Sequence, residues 1–175
     1  VYYKLQSFFF MPLFGLNNAT ISIIAFNYGA RKPERMTKTL KIACGAAFLF
    51  MLVGLASFQL LPEALLGMFN PTDEFMHMGV KALRIISLSF PVAAFGIILS
   101  ASFQALGNGI YSTLVSLCRQ LVVLLPVAWL LSRTGQLELV WWAFPIAEVM
   151  SFTLSVIFLR RTVKSANAVM TSSAQ

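Results

Sequence analysis

Charge is what this sequence has least of. Of its 175 residues only 11% are charged and 58% are hydrophobic, with a mean hydropathy of +0.80. A soluble domain carries roughly 25% charged and 45–50% apolar residues, so an ordinary water-soluble enzyme is excluded. Disorder is excluded by the same numbers, because it needs low hydrophobicity and dense charge. Two cysteines, Cys44 and Cys118, cannot make a disulfide scaffold. They read as small apolar fillers. The single histidine, His77, has no Cys or His neighbour at ligand spacing, so no metal site is expected. No P-loop, zinc motif or nucleophile elbow occurs, and no enzyme or organic cofactor is read. What is present instead is a succession of long apolar runs, the pattern of a protein embedded in a lipid bilayer.

A hydrocarbon core about 30 Å thick takes roughly 20 apolar residues per helical crossing. On that measure the chain reads as an all-α, polytopic bundle of five spans, at about 5–29, 42–62, 78–104, 112–131 and 139–159. Strands are rejected because no run alternates with period two and because helices satisfy their own backbone groups in lipid. The long uncharged stretch 85–118 is divided by Gly107-Asn108-Gly109, a turn signal. The formal net charge is +7, but its carriers sit between the spans and not on a soluble face, so nucleic acid is not expected as a partner. Arg31, Lys32, Arg35, Lys38 and Lys41 follow the first span, and Arg160, Arg161 and Lys164 follow the fifth. The positive-inside rule places both groups in the cytoplasm. Residues 162–175 read as a frayed cytoplasmic tail. The chain opens on Val1 without a basic segment and cleavage site, so no signal peptide is read, and a fragment lacking its N-terminal part is expected.

Four prolines, Pro12, Pro91, Pro126 and Pro145, lie inside apolar runs. Each removes a backbone donor, and together they suggest bent helices of the kind alternating-access transporters use for binding and gating. Glu148 falls within the fifth span, where an ionised side chain costs on the order of 2.5–3.5 kcal/mol. It reads either as a cation or proton site lining a watery cavity or as a hydrogen-bonded carboxyl between helices. Arg119, in the fourth span, is long enough to carry its guanidinium out to the cytoplasmic interface, a reading favoured over a substrate role. Asn17, Asn18, Asn27, Gln104 and Gln120 supply neutral hydrogen-bonding groups. Gly15 with Ala19 and Gly96 with Ser100 form small-xxx-small pairs suited to close helix approach. The sixteen phenylalanines and eight methionines could line an adaptable apolar cavity.

Asn27-Tyr28-Gly29-Ala30-Arg31-Lys32-Pro33-Glu34-Arg35, with Pro12 and Gly15-Leu16-Asn17-Asn18-Ala19 upstream, resembles the eighth helix and following loop of multidrug and toxic compound extrusion (MATE) transporters. Phe103-Gln104-Ala105-Leu106-Gly107 with Arg119-Gln120, and Pro145-Ile146-Ala147-Glu148, are similar to later stretches of the same family. The order and spacing fit helices eight to twelve. The resemblance implies most of one six-helix lobe of a twelve-helix antiporter, a multi-pass protein of the plasma membrane, the inner membrane if bacterial. Such a protein exports small organic cations or amphipathic compounds against sodium ions or protons. The partner it implies is the N-terminal lobe of the same polypeptide. Glu148, Asn17, Asn18 and Gln104 then belong to a coupling or substrate cavity, the four prolines to kinks or gates, and Arg31, Lys32, Arg35 and Arg119 to the cytoplasmic interface. The stretch matching the tenth helix, 89–96, holds none of the carboxylates that some members use there. The alternatives are a lipid-linked saccharide flippase of the same superfamily and a membrane subunit that scaffolds without transporting.

Overall fold

A computed structural model describes residues 2–69 and 72–172. The described residues are helical throughout, apart from turns. Four helices are long and apolar enough to cross a membrane, and a fifth crossing results if one bent pair is counted as a single span.

The first of these, α1 (Tyr2–Gly29), is 28 residues long, about 42 Å at 1.5 Å per residue. It ends in a three-residue turn, not in the twelve-residue loop, 30–41, that the expected spans left. Lys32 donates its N–H to the Asn27 carbonyl at 2.9 Å, and Arg31 takes up φ 53°. Pro33 then opens α2 (Pro33–Leu60), where its fixed φ suits the first turn and its missing donor costs nothing. Arg35, Lys38 and Lys41 therefore lie on the first turns of a helix that begins nine residues before the expected span.

Leu61 leaves helical geometry, and Pro62 starts the short α3 (Pro62–Gly67). Beyond it, Asp73 and Glu74 occupy the first turn of α4 (Asp73–Ser87), where acids favour the positive end of the helix dipole. The expected single span 78–104 is broken in two. α4 and α5 (Phe90–Ala105) meet at a 48° bend. Pro91 supplies the cause: it stands in the first turn of α5, has no N–H to give to the preceding turn, and disfavours helical geometry just upstream. The Ser89 hydroxyl donates to the Ile86 carbonyl at 2.6 Å, alongside the Ser89 N–H at 3.0 Å, and so closes the end of α4.

α5 is the central element, packed on α1, α2 and α9. Its Ala93, Ala94, Ala101 and Ala105 are buried, and small residues let membrane helices approach closely. Phe58 and Phe90 are fully buried with ring centroids 5.1 Å apart, and the rings of Phe9 and Phe10 meet them edge-on. Gly54 makes room for this cluster, since a Cβ there would lie 3.1 Å from the Phe9 ring and 3.3 Å from Phe90. At the far end of α5, Gly107 adopts φ +76°, and Asn108 donates back to the Phe103 carbonyl at 2.8 Å. That is a helix stop which glycine accepts without steric cost.

The fourth crossing is built of α6 (Gly109–Leu117), a π-helical segment (Cys118–Leu124) and α7 (Leu125–Ser132). Leu125 donates its N–H to the Gln120 carbonyl five residues back. Pro126, in the first turn of α7, again stands at the irregularity. The short α8 (Leu137–Val140) leads through Trp141 and Trp142 to α9 (Ala143–Ser172). Pro145 falls in the first turn of α9, where a missing N–H leaves no intrahelical bond unmade. Residues 165–172, read as a frayed tail, continue this helix, while 173–175 lie outside the described residues.

Candidate functional site

One face of α1, α5, α6 and α9 encloses a cleft of about 630 Å³. The faces follow from helical spacing. On α1, Tyr3, Ser7, Phe10, Phe14 and Asn17 recur every three or four residues; on α5, Ala93, Gly96, Ser100 and Gln104 do the same. Ser112, Val115, Ser116 and Arg119 form the third wall, and Glu148 with Ser151 the fourth. The lining is aromatic on the α1 side and rich in hydroxyls on the other three.

Its chemistry centres on one pair. The Arg119 guanidinium donates from Nη1 to Glu148 Oε1 at 2.6 Å, joining the π segment to α9. The Glu148 side chain is 15% exposed and that of Arg119 37%. Arg119 was expected to reach outward to the cytoplasmic interface; it turns instead to Glu148, where its guanidinium makes a charge-assisted hydrogen bond to the carboxylate. Among the described residues Glu148 is the only acid lining the cleft and Arg119 the only base.

A second polar group lies along the same wall. The Ser100 and Ser112 hydroxyls hydrogen-bond to each other, and Gln104 Nε2 donates to Ser112 Oγ at 3.2 Å. Gly96 and Ser100, read from sequence as a packing pair, thus face the cleft. Gly15 and Ala19 are both exposed, and a Cβ at Gly15 would meet nothing. Asn17 lines the cleft, and its Oδ1 is buried without a hydrogen-bond partner. Asn18 is exposed and does not line it. Asn27 is buried, but its Nδ2 bonds the Ile23 carbonyl of its own helix and not a neighbour. Arg31, Lys32 and Arg35 are exposed at the α1–α2 turn, away from the cleft. Of the lining serines the sequence singled out only Ser100, as half of a packing pair; Ser7, Ser112, Ser116 and Ser151 went unremarked as polar lining. Their signal was the four-residue spacing of Ser112 with Ser116 and of Ser100 with Gln104, and recognising it requires knowing that α5 and α6 face each other.

A smaller cleft of about 380 Å³ lies between α4 and α8, with His77, Lys81 and Glu138 in its lining. Lys81 and Glu138 form an exposed ion pair there. Among the described residues no three His, Cys, Asp or Glu side chains gather as a metal site would require.

The MatE family model matches residues 1–130. This chain belongs to the MatE family. Its relatives include the probable multidrug resistance protein YoeA of Bacillus subtilis strain 168, 24% identical over 86% of this chain and 33% of YoeA. Multidrug export protein MepA of Staphylococcus aureus strain RF122 / ET3-1 is 23% identical over 83% of this chain and 32% of its own length. The chain thus spans about a third of the curated relatives it matches. The solved, ligand-bound structure of the MATE multidrug transporter DinF-BH is 34% identical, with a TM-score of 0.82 over 90% of this chain and 35% of that one. An inward-facing MATE transporter of the MOP superfamily has the same fold, with a TM-score of 0.87 over 95% of this chain, 39% of that one, at 22% identity. The MatE chain is accordingly a multi-pass membrane protein of a multidrug transporter family, and not an enzyme.

Proposed function

We propose that the polypeptide carrying this chain exports cationic or amphipathic compounds across the plasma membrane in exchange for a cation, and that the cleft is this chain's share of the path. The observation that carries the reading is the Arg119–Glu148 pair at 2.6 Å inside a 630 Å³ cleft. Paired intramembrane charges facing a cavity are retained for ion or substrate handling, since lipid penalises them otherwise. The volume suits a drug-sized ligand, for which pockets run about 300–1,000 Å³. The aromatic α1 wall accepts flat apolar bodies, and Glu148, once released from Arg119, is the one acid of the lining among the described residues that can meet a cation. The basic α1–α2 turn and the end of α9 face the cytoplasm on this reading, which gives the orientation of a plasma membrane exporter.

The coupling ion is sodium or a proton. α5 offers the cleft Ala93, Gly96, Ile97, Ser100 and Gln104 and no carboxylate, which favours a coupling carboxylate elsewhere in the polypeptide, with Glu148 assisting. A lipid-linked saccharide flippase is disfavoured because a pyrophosphate needs several free cations, and Arg119, the one base of the cleft among the described residues, is already neutralised. For a scaffold subunit, Glu148→Gln should leave every phenotype intact. The test is efflux of ethidium from cells expressing the polypeptide, with the sodium and proton gradients collapsed separately and together. Loss of efflux on collapsing one gradient identifies the coupling ion. Efflux unchanged after both collapse overturns antiport.

A further inference from the structure

We propose that Arg119 is a tethered counter-cation that holds the Glu148 carboxylate until a monovalent organic cation displaces it, so that the cleft binds its ligand by exchange with a side chain. The inference rests on reading the cleft as a transport site and adds how that site is kept closed to charge.

Three observations lead there. First, the one acid and the one base lining the cleft among the described residues are bonded to each other, so this lining carries no net charge. A cation entering it gains nothing from Glu148 unless Arg119 lets go. Second, the exposures are unequal. The carboxylate is shielded at 15% and the guanidinium side chain lies more open at 37%, so the arginine is the more accessible partner of the pair. Third, Arg119 belongs to the π segment Cys118–Leu124. A π turn holds one residue more than an α turn, and single π insertions recur at functional sites. Closing that turn into α-helix rotates the face on one side of it by about 100° relative to the other, which gives Arg119 a second position off Glu148. A released guanidinium needs an acceptor, and Asn17 on the α1 wall carries a buried Oδ1 without a partner.

Displacement makes a prediction opposite in sign to that of a structural ion pair. If Arg119 competes with the ligand, removing its charge strengthens ligand binding. If Arg119 merely holds Glu148 in place, removing it weakens binding.

The experiment uses the whole polypeptide in nanodiscs, with tetraphenylphosphonium as a permanently charged probe. Arg119→Gln is expected to tighten probe binding about tenfold, within the usual 5- to 150-fold range of coupling between two ligands. Glu148→Gln is expected to weaken it by a similar factor. Arg119→Lys keeps a positive charge beside Glu148, so it protects the fold, but its ammonium pairs less well than the planar fork. Binding to that variant should fall between wild type and Arg119→Gln. Thermal unfolding run alongside separates a folded variant from a collapsed one. Unchanged or weaker binding by folded Arg119→Gln, or by Arg119→Lys where the glutamine variant does not fold, overturns the proposal while leaving the transport reading standing. A wild-type protein that exports no cation overturns the transport reading, and this inference with it.

Discussion

Replacing Glu148 by Gln strands a guanidinium inside a membrane bundle, and the cost can be worked from the geometry. Removing one partner of a buried pair typically costs about 3–5 kcal/mol, because the survivor is left without compensation. Here the Arg119 side chain is 37% exposed and is not fully desolvated, which lowers the expected cost to about 1–3 kcal/mol. Arg119→Met is milder, since an acid can take up a proton and become neutral where a guanidinium cannot. The double variant Arg119→Met with Glu148→Gln places two neutral side chains of similar shape in the same space, and its stability should return to within about 1 kcal/mol of wild type. A double-mutant cycle by thermal unfolding in detergent reads all three. The reasoning predicts a coupling of about 1–2 kcal/mol between the sites. Additive effects, with the double variant as unstable as the sum of the singles, would mean that the two side chains do not pair in the folded protein.

Gly54→Ala puts a methyl 3.1 Å from the Phe9 ring and 3.3 Å from Phe90, so it should cost about 1–2 kcal/mol by overpacking, read as a lowered Tm; an unchanged Tm would deny that the phenylalanine cluster packs there. Lys81→Ala or Glu138→Ala removes an ion pair whose side chains are 47% and 60% exposed, and stability should move by less than about 1 kcal/mol. Gly107→Ala meets no steric neighbour but must adopt φ +76°, so about 1–2 kcal/mol should be lost, with no loss for Ala at the open, helical Gly15. Pro126→Ala restores a backbone donor beside the π segment and should shift the Arg119 side chain, reducing ethidium efflux more than it reduces folded protein in the membrane.

Much of the architecture was readable because the bilayer makes length and apolarity decisive. An uncharged stretch such as 42–62 can scarcely be anything but a span, and Glu148 stood out for the same reason. Helix ends were harder. Pro33 allows α2 to begin among the lysines, so charge alone marks the loop too generously. The α4–α5 bend was foreshadowed by Pro91, but whether a proline bends, ends or merely opens a helix depends on what surrounds it: Pro12 sits inside continuous α1, and Pro145 in the first turn of α9. The partner of Arg119 was hidden for a different reason. It lies 29 residues away on another helix, a separation at which spacing says nothing and only the packing of α6 and the π segment against α9 brings the two together. Read alone, a long cation near a helix end belongs at the interface; read with Glu148 in reach, it belongs inside.

The central claim is that the Arg119–Glu148 cleft lies on the path of an exported cation. The most direct test is the labelling rate of Ser116→Cys by a charged methanethiosulfonate reagent, in a background where Cys44 and Cys118 are alanine. Ser116 lines the cleft and is exposed, so the account predicts ready labelling in membranes, slowed several-fold by a cation that the protein exports. Labelling that proceeds at the same rate with and without an exported cation would place the ligand elsewhere and contradict the account.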